Sequence, residues 1–155
     1  MTGIRPVLFL DIDRVLSPIH DTSTWSDYTT IASPYGDVPV SPRLLGVVGA
    51  LPADIVYVTD WGDDAHIFDR FLGRDDTTVA ARIERDHWWK TAAVAAYLSA
   101  HPGTRAFIHV DDHLDDDRIA DLHRIAAGRP HQPVVPEDGL TEANLDQMRA
   151  FLDSV

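Results

Sequence analysis

Asp11 and Asp13 stand one residue apart at the end of the apolar run Val7-Leu8-Phe9-Leu10, in the stretch FLDIDRVLSP. A carboxylate carried on a buried strand costs several kcal/mol, by order of magnitude, unless something compensates it. Two later apolar runs end in the same way. Ile55-Val56-Tyr57-Val58 ends in Thr59-Asp60, and Ala106 to Val110 ends in Asp111-Asp112. Lys90 is the only lysine among thirteen basic residues, a choice that suits a compact ammonium where arginine will not substitute. Three or four carboxylates gathered around one ammonium cannot all stay ionised without a further cation. The available ligands are hard oxygens and the chain has no cysteine, so the predicted cofactor is Mg²⁺. Beside a lysine and a threonine hydroxyl, that cation makes a site for a phosphoryl group. One carboxylate can attack phosphorus while its neighbour two residues on handles the proton.

Such residues lie far apart in sequence, so the fold must gather them. Strands are expected at 6–11, 55–58, 79–83, 106–110 and 132–135. Between them lie helices at about 42–51, started by Ser41-Pro42, and at about 63–72, stopped by Gly73. A third helix, with Asp86 as its cap, carries Trp88, Trp89 and Lys90 to about residue 100; two more span 115–127 and 141–153. Strands alternating with helices, each strand a near-continuous apolar run, predict an α/β fold: a single doubly wound, three-layer Rossmann-like domain with a parallel sheet. In such a sheet the ligand crevice lies outside the carboxyl ends of the strands, where Asp11, Asp13, Thr59, Asp111 and Asp112 fall. Residues 17–40 hold Trp25, Tyr28 and Tyr35 with no sustained period and are expected to form an ordered flap. No linker or repeat divides residues 1–155.

The bulk numbers narrow the partners. A net charge of −12 argues against broad electrostatic binding of nucleic acid, although a local basic pocket is compatible with it. No run approaches the length of a membrane span, and MTGIRPVLFLDID meets charge too early for a signal peptide, so a cytoplasmic location is expected.

The motifs, taken in order, resemble the haloacid dehalogenase (HAD) superfamily, whose phosphatases carry DxDx(T/V)L, a strand-end Thr or Ser, a Lys and a strand-end acidic pair. Here these are DIDRVL at 11–16, VYVTD ending at Thr59-Asp60, Trp89-Lys90-Thr91, and FIHVDD ending at Asp111-Asp112. The resemblance implies a HAD-like phosphatase. Asp11 would be the nucleophile that becomes a phosphoaspartate, and Asp13 the general acid and then base. Thr59 would hold phosphoryl oxygens and Lys90 would offset charge. Asp112, with Asp111 as the less secure choice, would hold Mg²⁺ together with Asp11 and the backbone carbonyl of Asp13. About 45 residues separate Asp13 from Thr59 and about 30 separate Thr59 from Lys90, so neither gap holds a full cap domain. A capless site is open to a phosphorylated nucleic-acid end or protein, and equally to a small phosphomonoester if the flap closes it.

Two positions depart from the family pattern. Arg14 stands where Gly is usual; it either shifts the turn or reaches a second anionic group on the substrate. Asp60 follows the motif Thr, where its charge either repels phosphate or caps the 63–72 helix. These departures motivate the alternative of a catalytically weak or inactive binding module that keeps a phosphate or metal site. Among the aromatics, Trp25 and Tyr28 are expected near the crevice on the flap, Trp61 as a wall of the pocket, and one of Trp88 and Trp89 as core. His109 and His113 do not share a helical face and are not expected to form a metal pair. Asp115, Asp116 and Asp117 read as a helix N-terminus, with Asp115 or Asp116 also available to orient Lys90. A response-regulator receiver domain uses similar residues, but in a different order along the chain, which excludes it.

Overall fold

Strand β1, Val7–Leu10, is buried along its whole length, and its residues alternate between two cores. Leu8 and Leu10 join one apolar cluster, Val7 and Phe9 the other. The run is continuously apolar because both faces of a central parallel strand are covered. The computed structural model describes residues 4–20, 24–84 and 88–155.

After β1 come a hairpin of β2 (Thr29–Ser33) and β3 (Gly36–Val40), then α1 (Pro42–Gly49) and β4 (Asp54–Tyr57). A 3-10 helix, Gly62–Phe68, runs into α2 (Asp69–Leu72), followed by β5 (Thr78–Val79) and α3 (Trp89–Ala100). The chain continues through β6 (Phe107–Val110), α4 (Asp116–Ala126), β7 (His131–Val134) and α5 (Glu142–Ser154). The main sheet has the order β5-β4-β1-β6-β7, with every pair parallel. Leu44 and Val48 of α1, Phe68, Leu72, and Leu145 and Met148 of α5 cover one face. Val94 and Leu98 of α3 with Leu122 and Ala126 of α4 cover the other. This is the expected three-layer, Rossmann-like fold, and the described residues include no cap domain. From β1 the chain steps outward to β4 and β5, then crosses to β6 and β7 on the other side. That reversal opens a crevice at the carboxyl ends of β1 and β6.

Local chemistry starts and stops the helices largely as predicted. Ser41 Oγ accepts the Leu44 N–H at 3.1 Å and Pro42 occupies the first turn of α1. Thr141 and Asn144 cap each other's backbone at the start of α5. Gly73, at φ +67°, ends α2 in the left-handed conformation glycine tolerates.

Three expectations are corrected. Most of the 63–72 helix is 3-10, whose three-residue turn brings Ala65 and Phe68 to the core together. The strand expected at 79–83 is only Thr78–Val79, an edge strand paired to Val56 and Tyr57. Within the expected flap, residues 29–40 form an antiparallel hairpin in which Thr29 pairs with Val40 and only Ile31 and Val40 are buried. With so little burial there is no alternation to read from sequence. The cap assigned to Asp86 lies outside the described residues. Among the described residues no helix is long and apolar enough to cross a membrane.

Candidate active site

The parallel register of β1 and β6 sets Phe9 against His109 and Leu10 against Val110. Asp11 continues it, donating its N–H to the Val110 carbonyl at 3.1 Å. One step beyond the strands, the Asp11 and Asp111 carboxylates therefore meet. Lys90, in the first turn of α3, lies between them: its Nζ is 2.8 Å from Asp11 Oδ2 and 2.7 Å from Asp111 Oδ2. All three side chains are buried, Asp111 completely. The second oxygens are also engaged. Asp11 Oδ1 accepts the Ile12 N–H and Asp111 Oδ1 the His113 N–H, each at 2.8 Å.

Burial pushes the Asp11 carboxyl up to about 6, with Asp111 adding to the rise and Lys90 opposing it. Burial pulls Lys90 down, but Asp11 and Asp111 outweigh it and hold the ammonium above its ordinary range. Asp112 is likewise raised by burial and by Asp111, against the opposing charges of His113 and Arg14. Two neighbouring carboxylates with one ammonium leave excess negative charge, as the sequence suggested.

Asp11, Asp111, Asp112 and His113 each offer a ligand atom, all within 4.8 Å of one another. Asp112 Oδ1 is buried without a hydrogen-bond partner. A buried carboxylate oxygen with no hydrogen bond calls for an explanation, and a role as a cation ligand supplies one. Three carboxylates and one imidazole fit a divalent cation, with the oxygens of the type Mg²⁺ takes. Of the acidic pair, Asp111 has both oxygens committed, whereas Asp112 Oδ1 makes no hydrogen bond and has only His113 Nδ1 near it, at 3.2 Å. His113 was missed; its position two residues after Asp111 was the available signal.

A crevice of about 200 Å³ opens above this floor, lined by Asp11, Lys90, His113 and the exposed Asp13. Asp60, Trp88, Trp89 and Arg118 complete the lining. Arg118 was also missed. It falls in the first turn of α4, three residues after the cap Asp115, at the same sheet edge. Its guanidinium carbon lies 4.1 Å from the Trp88 ring centroid, and Nη1 donates to the His113 carbonyl at 2.8 Å. Trp88 also stacks on His109, with centroids 6.1 Å apart and planes at 21°. His109 is fully buried with neither ring nitrogen paired, and burial pulls its imidazole down to about 4. It faces the core, apart from His113, so the two form no metal pair.

Thr59 is buried at the end of the chain's run from β4, and its Oγ1 accepts the Trp61 N–H at 3.3 Å. Arg14 adopts φ +60°, the region that favours glycine, and does not line the crevice. Its N–H donates to the Ser17 carbonyl and its own carbonyl accepts from Gly139, each at 2.7 Å, which pins the turn. Asp60 is exposed and pairs with Arg82 rather than capping the neighbouring 3-10 helix.

Two expectations about neighbouring aromatics are corrected. Trp25 is core, not crevice: it is 5% exposed and its Nε1 donates to the Leu140 carbonyl at 2.7 Å. An indole with its polar edge satisfied internally buries well, whatever the polarity of the segment around it. Trp61 is 6% exposed, packs edge-on against Tyr35 and Phe68, and does not line the crevice. Asp115 accepts the Arg118 N–H as the cap of α4, as expected of a helix N-terminus, while the acid that holds Lys90 alongside Asp11 is Asp111 rather than Asp115 or Asp116.

A family model described as "HAD domain in Swiss Army Knife RNA repair proteins" matches residues 7–145. The chain belongs to this family, which supports HAD-type phosphoryl-transfer chemistry in general. No curated protein matches the chain.

Proposed function

We propose that this HAD domain is a Mg²⁺-dependent phosphomonoesterase acting through a phosphoaspartate on Asp11. The observation that carries the reading is the buried Asp11–Lys90–Asp111 arrangement beside a buried oxygen of Asp112 that makes no hydrogen bond. Residues 1–155 act as one capless domain, and a cytoplasmic location goes with this reading.

In the first half-reaction an Asp11 oxygen attacks phosphorus and the bond from phosphorus to the leaving oxygen breaks. Asp13, exposed at the crevice wall, gives the leaving oxygen its proton. In the second half-reaction Asp13 takes a proton from water, whose oxygen attacks the same phosphorus and releases Asp11. Lys90 holds Asp11 ionised and in place; Thr59 and neighbouring N–H groups accommodate the phosphoryl oxygens. Asp11, Asp112 and His113, with the Asp13 carbonyl, would hold the metal, and Asp111 serves chiefly to orient Lys90. Bound there, Mg²⁺ supplies charge neutralisation for carboxylate and phosphate.

The family description names RNA repair proteins, so the substrate class that fits best is an RNA end bearing a terminal phosphomonoester. An open crevice suits such an end. The net charge then limits contact to the terminus rather than a long tract. The departures at Arg14 and Asp60 do not favour an inactive module: the Arg14 turn is hydrogen-bonded on both sides, and Arg82 neutralises Asp60.

The test is phosphate release from 3′- and 5′-phosphorylated RNA oligonucleotides and from p-nitrophenyl phosphate. Wild type and Asp11→Asn are compared, each with Mg²⁺ and with EDTA. Release that needs both Mg²⁺ and Asp11 is the expected result. Mg²⁺ binding without release from any substrate would overturn the reading in favour of a binding module.

A further inference from the structure

Around the crevice, one cation among the described residues lacks a carboxylate partner. Lys90 is consumed by Asp11 and Asp111, and Arg82, which reaches the lining residue Asp60, by Asp60 and Glu84. Arg118 is the remaining cation among the described residues of the lining, and it has no carboxylate partner there. Its geometry is set in advance. Trp88 lies beneath its guanidinium and is itself stacked with the buried His109, and the His113 carbonyl takes one of its five donors. An arginine held this way loses little freedom on binding and presents a fork matched to phosphate oxygens.

Burial separates its place from that of the chemistry. Asp11 and Lys90 are 5% and 4% exposed at the floor, whereas Trp88 and Arg118 are half-buried on the wall. A group at the floor is the phosphoryl being transferred; a group at the wall is the adjoining part of the substrate, nearer to solvent. In a phosphorylated RNA end, the next anionic group is the neighbouring phosphodiester.

We propose that Arg118, seated on Trp88, binds the phosphodiester next to the scissile phosphate and so makes the site prefer an oligonucleotide end to an isolated phosphomonoester. The proposal rests on the phosphatase reading and adds a specificity determinant to it. Nothing in it requires a basic surface, because one oriented guanidinium answers one diester.

The experiment measures kcat and KM for a dinucleotide with one terminal phosphomonoester and for the matching nucleoside monophosphate, which lacks the diester. Wild type, Arg118→Gln and Arg118→Lys are compared at two salt concentrations. The expected result is that Arg118→Gln lowers the dinucleotide preference about tenfold or more, through KM rather than kcat, and that Arg118→Lys restores part of it. The salt dependence of the dinucleotide KM should weaken by about one ion in the Gln variant. Equal losses on both substrates would overturn the proposal, since they mean a structural role or contact with the scissile group. An unchanged preference would overturn it too. Should wild type release no phosphate from either substrate, the phosphatase reading fails and anisotropy of a labelled, terminally phosphorylated oligonucleotide decides the proposal. Weaker binding by Arg118→Gln then supports it and equal binding rejects it.

Discussion

Asp11 and Asp111 stand side by side at the ends of adjacent parallel strands and share a single ammonium, Lys90 Nζ lying 2.8 Å from one and 2.7 Å from the other. The relationship comes from register. Phe9 pairs with His109, so the residues two steps on emerge together on the face that α3 covers. It also leaves the site one negative charge in excess before Asp112 is counted.

Lys90→Met removes the partner of two buried carboxylates. In EDTA the variant should be less stable than wild type by about 3–5 kcal/mol, the usual cost of an uncompensated buried charge. Urea unfolding measures it. Mg²⁺ should return part of the loss, because a cation at the same carboxylates replaces some of the missing charge; an identical deficit with and without Mg²⁺ would count against the metal site.

The raised Asp11 carboxyl gives metal binding a pH dependence. In the metal-free protein its value of about 6 lies above the ordinary 3.8. The folded state therefore favours the proton, and that stabilisation is full below 3.8 and lost as pH rises through about 6. A cation needs the carboxylate, so it competes with the proton below about 6 and not above. Calorimetry should show Mg²⁺ affinity flat from about pH 7 upward and weakening by up to about tenfold per pH unit below about 6. The rise in Tm on adding Mg²⁺ should shrink in step.

Arg14→Gly relieves a left-handed arginine at φ +60°. Stability should rise by up to about 1 kcal/mol, the strain relieved less the extra entropy of an unfolded glycine. Arg14→Ala should bring no such gain, because alanine keeps the strain. Denaturant midpoints of the two variants make the comparison, and KM values from the same preparations report whether the guanidinium touches substrate.

Gly49 is the point where α1 meets the end of α2. A Cβ there would stand 1.7 Å from the Leu72 carbonyl oxygen, a backbone atom that cannot turn aside. Gly49→Ala should cost about 3 kcal/mol or more, at the upper end of overpacking penalties. Gly46→Ala, on the same helix with open space around its Cβ, should be neutral or stabilising by a few tenths of a kcal/mol. Thermal unfolding of the pair separates packing from helix propensity.

Much of the candidate site was legible because its residues sit at the ends of strands. Continuous apolar runs identified β1, β4 and β6, and a polar residue ending a buried run marks the sheet's carboxyl edge wherever it occurs in the chain. Asp11, Thr59, Asp111 and Asp112 could be gathered on that basis, and Lys90 by its rarity. The β2–β3 hairpin could not be read in this way, since a strand pair that buries only Ile31 and Val40 carries no period.

The sequence by itself determined the α/β order, the strand-end carboxylates and the excess of negative charge, because these depend on hydrophobic runs and residue type along the chain. Only the tertiary structure decided how the charges are shared. Whether Asp111 or Asp112 keeps an oxygen clear of hydrogen bonds depends on where Lys90 falls, twenty-one residues away, together with the His113 N–H. The same holds for Trp25 and Trp61, whose type suits core and crevice alike and whose burial was set by what packs against them. It holds for Arg118 as well: an arginine in a helix's first turn is ordinary in sequence, and it gains meaning when Trp88, thirty residues away, comes to lie beneath it. Contacts between distant segments arise from packing and register, which no single stretch of chain encodes.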